Sequence, residues 1–292
     1  MNFSIGTAVS RWRCGRHLVR ALAVFLLFSA LFPASAHCGA WTQDAGHGQI
    51  IVTSSLFRTS TAFDQSGNRQ LFSDDGRFRQ FTLSSYFEYG LTSRNTFILN
   101  TTAPFLDFTN QYGKQTSAGL GDMEVSLKRR LNPVESPWAF SGQLTVMFPA
   151  YSATRNPAPG NHQEDVEVRF MAGRGATVAK RHLFWDAEVA YRYRSGAPAD
   201  QVRSDGTVGM DLTRRLMVMG QFFAIKGLRN GEPLTANSNP NAQSDFDLYK
   251  YQPSVVLTLG HGSRLQFGWN NAFSGRNTGR GPATILALWK TF

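Results

Sequence analysis

The residues of this chain that could do chemistry are charged, and they recur at a spacing of two. Asp122, Glu124, Lys128 and Arg130 share one parity, while Met123, Val125, Leu127 and Leu131 take the other. The same spacing groups Asp165, Glu167 and Arg169, and again Asp186, Glu188, Arg192 and Arg194. Glu88, Asp211 and Lys250 fall on the polar parity of their own segments. Walls carrying both signs of charge admit two readings. They make rings that decide which ions or polar solutes pass, or they pair across strands and fill a narrow interior. Catalysis is a poor third. His37, His47, His162, His182 and His261 lie in the N-terminal lead, at strand ends or in loops, and none has a partner at metal-ligand spacing. A membrane lipase would need a His and a Ser presented together, and no pattern here brings them together. The expectation is no enzyme, no metal and no cofactor.

Such alternation belongs to strands, whose successive side chains point to opposite faces. In a soluble sandwich the apolar wall would face a core; in a membrane barrel it faces lipid and the charged wall faces the lumen. Twelve strands are expected, at about 47–58, 78–91, 94–106, 118–131, 137–149, 164–177, 181–194, 204–213, 216–227, 246–259, 264–275 and 282–292. No helical stripe competes with them. Alternate gaps are tight, as at 92–93, 132–136, 178–180, 214–215 and 260–263. The others, 59–77, 107–117, 150–163 and 228–245, are long and polar. Short periplasmic turns alternating with long outer loops on an even number of strands describe an outer-membrane barrel, and a sandwich has no reason to keep that rhythm. The expected fold is therefore all-β: a transmembrane, antiparallel, up-and-down barrel.

The N-terminus agrees. Arg11, Arg13, Arg16 and Arg20 precede an apolar run from Ala21 to Phe32 and the small residues Ala34-Ser35-Ala36. This is the layout of a signal peptide over 1–36, cut after Ala36, with the barrel domain over 37–292. The run is too short for a membrane-spanning helix. Cys38 follows His37, where a lipid-attachment signal wants a small residue. Losing four arginines and no acid takes the formal charge from +10 to +6, a modest balance that argues against nucleic acid as a partner. Cys14 leaves with the signal, so Cys38 has no intramolecular partner.

Aromatic side chains gather toward strand ends, among them Tyr86, Tyr89, Trp138, Tyr191, Tyr193, Tyr249, Tyr251 and Trp289, and read as two interfacial girdles. The chain ends Leu286-Ala287-Leu288-Trp289-Lys290-Thr291-Phe292, similar to the terminal strand of bacterial outer-membrane proteins except at Lys290, which has to snorkel. Three stretches resemble the outer-membrane family of meta-pathway phenol-degradation transporters. They are Tyr86-Phe87-Glu88-Tyr89-Gly90-Leu91-Thr92 with Arg94, the Pro104 ending the next strand, and Gly119-Leu120-Gly121-Asp122 with its alternating tail. The resemblance implies a barrel and, by analogy, transport. Trp41-Thr42 and Gly46-His47-Gly48-Gln49 are also similar to barrels of surface-polysaccharide systems.

Two functions stay open. One is a Gram-negative outer-membrane channel for passive uptake or efflux of a small solute, aromatic and amphipathic molecules included, through a lumen polar throughout. The other is an accessory barrel in surface-polysaccharide export, adhesion or biofilm formation, acting through its outer loops. The partners expected are outer-membrane lipid, the export and barrel-assembly machinery, and either a small solute or a surface polysaccharide. Antiparallel register across 178–180 should bring Asp165 and Glu167 near Arg192 and Arg194, and Arg169 near Glu188.

Overall fold

The computed structural model describes residues 39–152, 154–232 and 238–292. The expected signal peptide and its cleavage after Ala36 lie outside them. Among the described residues the strands are β1 (Gly48–Thr59), β2 (Thr61–Phe63), β3 (Arg69–Leu71), β4 (Arg77–Thr92), β5 (Asn95–Asn110), β6 (Gly113–Ala118), β7 (Asp122–Arg130) and β8 (Trp138–Pro149). They continue with β9 (Asp165–Val178), β10 (Arg181–Arg194), β11 (Gln201–Asp211), β12 (Leu216–Gly227), β13 (Asp247–Gly260), β14 (Ser263–Arg276), β15 (Thr278–Arg280) and β16 (Pro282–Thr291). Twelve of these, all but β2, β3, β6 and β15, pair antiparallel with their neighbours, and β1 joins β16 to close the barrel. Closure leaves none of the twelve wall strands with a free edge, the condition for crossing a bilayer with strands.

Alternation sets which wall faces where. Leu127, Leu144, Val168, Phe170, Val189, Phe267 and Leu286 are exposed on the outside, an apolar surface that only lipid can cover. Inward positions hold buried polar groups such as Glu88, Ser126, Lys128, Thr145, Glu167 and Asp186. The chain is thus a transmembrane barrel of the outer-membrane type. Tight turns gather at one rim, where Gly48 and Phe292 exchange backbone hydrogen bonds of 2.9 and 3.0 Å, and this rim is periplasmic by the usual loop asymmetry. Lys290 lies there too, its ammonium donating to the His261 carbonyl at 2.6 Å.

Four expectations are corrected. The stretch 107–117 is not a loop, because β5 runs on through Pro104 and pairs with β6 as a hairpin rising above the membrane. The strand expected at 118–131 starts only at Asp122, with 119–121 outside any strand. Pro104 has no N–H to offer the facing segment, and Gly119 there adopts a φ of +142° that a side chain would resist. Tyr86 and Trp289 do not belong to the girdles. Both face inward, Tyr86 donating to Glu88 at 3.0 Å and Trp289 to Gln266 at 3.2 Å. Finally, the lumen is not polar throughout: Phe184, Met217, Met219, Val256, Ala287 and Trp289 form a buried apolar cluster inside the barrel.

Candidate functional site: a charged lumen closed at both ends

The middle of the barrel holds a cavity of about 420 Å³ bordered by β1, β4, β5 and β7 to β12. Glu167 on β9 is its electrostatic centre. The Arg192 and Arg169 guanidiniums approach it at 2.8 and 2.9 Å, and Arg203 stands at 3.6 Å. Arg169 also pairs with Glu188 and Asp205, and Arg192 reaches Glu124 at 3.3 Å. The result is one continuous network of both signs that links several strands. Antiparallel register makes it possible, since Arg192 lies directly opposite Glu167 and Arg194 opposite Asp165. Arg194 and Asp165 form the next pair toward the outside, at 3.5 Å.

The remaining candidates separate by depth. Lys128 and Glu88, both almost fully buried, pair at 3.4 Å on the periplasmic side of the cavity. Asp186 borders the cavity beside them. Asp122 lies near the outer end, close to Gly160 and the Tyr151 hydroxyl. Lys250 faces inward over the Phe223 ring, 5.6 Å from its centroid. Asp211 has the inward parity of Arg203 and Asp205 but sits at the periplasmic end of β11, away from the cavity. Arg130 serves the turn that follows its strand, donating to Asn132 and to the Trp138 carbonyl at 2.7 Å each. Arg203 and Asp205 are cavity residues that the sequence did not point to, because the strand expected there starts one residue too late for Arg203. The signal existed, for Arg203, Asp205, Thr207 and Asp211 share one parity.

A second unexpected participant is the segment that precedes β1. Residues 39–43 enter the lumen from the periplasmic rim. The Gly39 carbonyl accepts from Lys128 at 3.0 Å, Gln43 donates to Glu88, and the Gln43 amide donates to Thr96 at 2.9 Å. Ala40 is wholly buried, its carbonyl accepting from Ser141. Trp41 packs on the apolar cluster and lies over Gly173, where a Cβ would come within 2.6 Å of the indole. Glycine is needed there for close approach. At the other mouth, residues 238–245 lie across the opening. Asn241 donates to Gln80 of β4 at 3.2 Å, and Asn239 to the Ala158 carbonyl at 2.7 Å.

This combination of a closed twelve-stranded barrel with a narrow charged lumen can be compared with known proteins. The COG4313 outer membrane channel from Pseudomonas putida F1 matches with a TM-score of 0.60 at 14% identity, covering 89% of this chain and 100% of that one. The two share a fold. The translocator domain of the autotransporter NalP from Neisseria meningitidis gives 0.45 at 9% identity, covering 95% and 96% of the two chains. The β domain of the Bordetella autotransporter BrkA gives 0.47 at 12% identity, covering 85% and 100%. No family model matches the sequence, and no curated protein does.

Proposed function

We propose that the chain is a non-enzymatic outer-membrane channel for passive movement of a small solute, kept closed by its own N-terminal segment. The observation that carries this reading is the central cavity itself, about 420 Å³ and lined by ionised side chains. A barrel built only as a rigid scaffold gains more by packing that space, because interiors otherwise approach close packing. The volume is within the range of small-molecule sites, roughly 300 to 1,000 Å³. Twelve strands also lie between eight-stranded barrels filled by side chains and sixteen-stranded open porins. The Pseudomonas putida protein that shares this fold is an outer membrane channel, which supports the reading by analogy.

In this reading the network around Glu167 is the selective constriction, and Glu124, Arg192 and Arg203 present the charges a solute meets. Residues 39–43 are the closure. Their contacts with Lys128 and Glu88 are polar, so water can replace them when the segment withdraws. The chain reaches its membrane by export, with removal of residues 1–36 and insertion by the barrel-assembly machinery. The test is conductance of the refolded protein in planar bilayers. Arg192→Ala should change ion selectivity while leaving the barrel folded. A silent barrel whose deletion alters capsule or biofilm, with solute uptake unchanged, would favour the polysaccharide role instead.

A further inference from the structure

At the outer rim, β1 and β4 carry Arg58, Arg77 and Arg79 on the lipid-facing side, all exposed. Arg58 and Arg79 are direct cross-strand partners. Like charges directly opposite one another destabilise a sheet, and no hydrogen bond or ion pair of either guanidinium relieves them among the described residues. The acid nearby, Asp107, is directly opposite Arg79 on β5 but is held by Lys114 of β6. The patch therefore has an excess of positive charge.

Its shape is amphipathic. One recess, of about 690 Å³, is bordered by Arg58, Arg77, Arg79, Asp107, Thr59 and Thr109. A second, of about 480 Å³, adjoins it through Arg79 and Asp107, with Phe81, Phe105 and Leu106 on one side and Thr116, Ser117 and Ala118 of β6 on the other. Phe81 and Phe105 are paired rings 5.9 Å apart on the lipid-facing surface. Successive residues on one face of a strand are separated by roughly 7 Å, so Arg79 stands one step above Phe81 at headgroup height. Guanidiniums above an apolar slot match a molecule with phosphates above an acyl chain.

We infer that this face binds the lipid A part of lipopolysaccharide, its phosphates bridging Arg58 and Arg79 and one acyl chain lying in the slot beside Phe81 and Phe105. The position selects the source. The arginines are at the long-loop rim, which faces the outer leaflet, and the bound phosphate supplies counter-charge where Asp107, opposite Arg79 and paired with Lys114, is the acid on hand. The inference does not depend on whether the lumen conducts.

The experiment uses the full mature protein in detergent, with bisphosphorylated hexa-acyl lipid A as the probe and native mass spectrometry and thermal unfolding as readouts. Wild type should bind lipid A at least about tenfold more tightly than the Arg58→Gln/Arg79→Gln double variant, a difference of about 1.4 kcal/mol. Thermal unfolding adds a crossover in sign. Without lipid A the variant should melt higher than wild type, because the like-charge pair is gone; with lipid A it should melt lower. Arg174→Gln, an outward arginine near the periplasmic rim, should leave binding unchanged. Equal binding by wild type and the double variant would overturn the inference. So would an equal loss with Arg174→Gln, or displacement of lipid A by phosphatidylglycerol or inorganic phosphate at equal phosphate concentration.

Discussion

Glu167 accepts approach from three guanidiniums while its own side chain is only 3% exposed. Removing one partner of a buried ion pair leaves charge uncompensated, at a cost of roughly 3 to 5 kcal/mol. Glu167→Gln should therefore lower stability by about 3 kcal/mol, read as a shifted urea midpoint in detergent. Glu124 is 26% exposed with a single ion pair at 3.3 Å, so Glu124→Gln should cost less than about 1 kcal/mol. Equal effects would mean that the network is not centred on Glu167. At this scale the inward charges were legible because parity alone assigns a face. Arg203 was lost to a strand boundary. The partners of Lys128 and Glu88 were not legible at all, since the glycine carbonyl and glutamine that meet them belong to an irregular segment with no period to read.

At the scale of elements, register is the claim that can be checked most sharply. Asp165 and Arg194 are directly opposite, so a cysteine pair at these positions, in a Cys38→Ser background, should oxidise readily. A pair at 165 and 193 places the two thiols on opposite faces and should not. The reverse result would show a one-residue slip, which would turn the charged wall toward lipid. Orientation is tested separately. Asp75→Cys, in the long connection from β1 to β4, should react with a membrane-impermeant maleimide on intact cells, and Glu135→Cys, in the β7–β8 turn at the opposite rim, should not. Labelling at 135 alone would invert the barrel. The twelve wall strands were readable from alternation because each separates lipid from lumen. The β5–β6 hairpin was not, for it extends beyond the barrel wall and no longer separates lipid from lumen, and Lys114-Gln115-Thr116-Ser117 has no reason to alternate.

For the whole molecule, the barrel is closed to sideways exit by pairing of β1 with β16, and its lumen is occupied at the periplasmic end by residues 39–43 and covered outside by residues 238–245. Barrel class was legible because hydrophobic alternation recurs in several strands and the loop rhythm runs along the whole wall, even where alternation is weakest, at 94–106 and 216–227. Closure of the lumen was not, because it depends on where Trp41 and Gln43 thread inside the wall. In the proposed channel that segment is a removable closure over a conducting path. Single-channel recording of the refolded protein, with and without residues 37–43, tests it most directly. Brief or rare openings are expected in the full mature chain and a steady, salt-dependent conductance in the shortened one, with both remaining heat-modifiable barrels on gels. A shortened barrel as silent as its parent would contradict it.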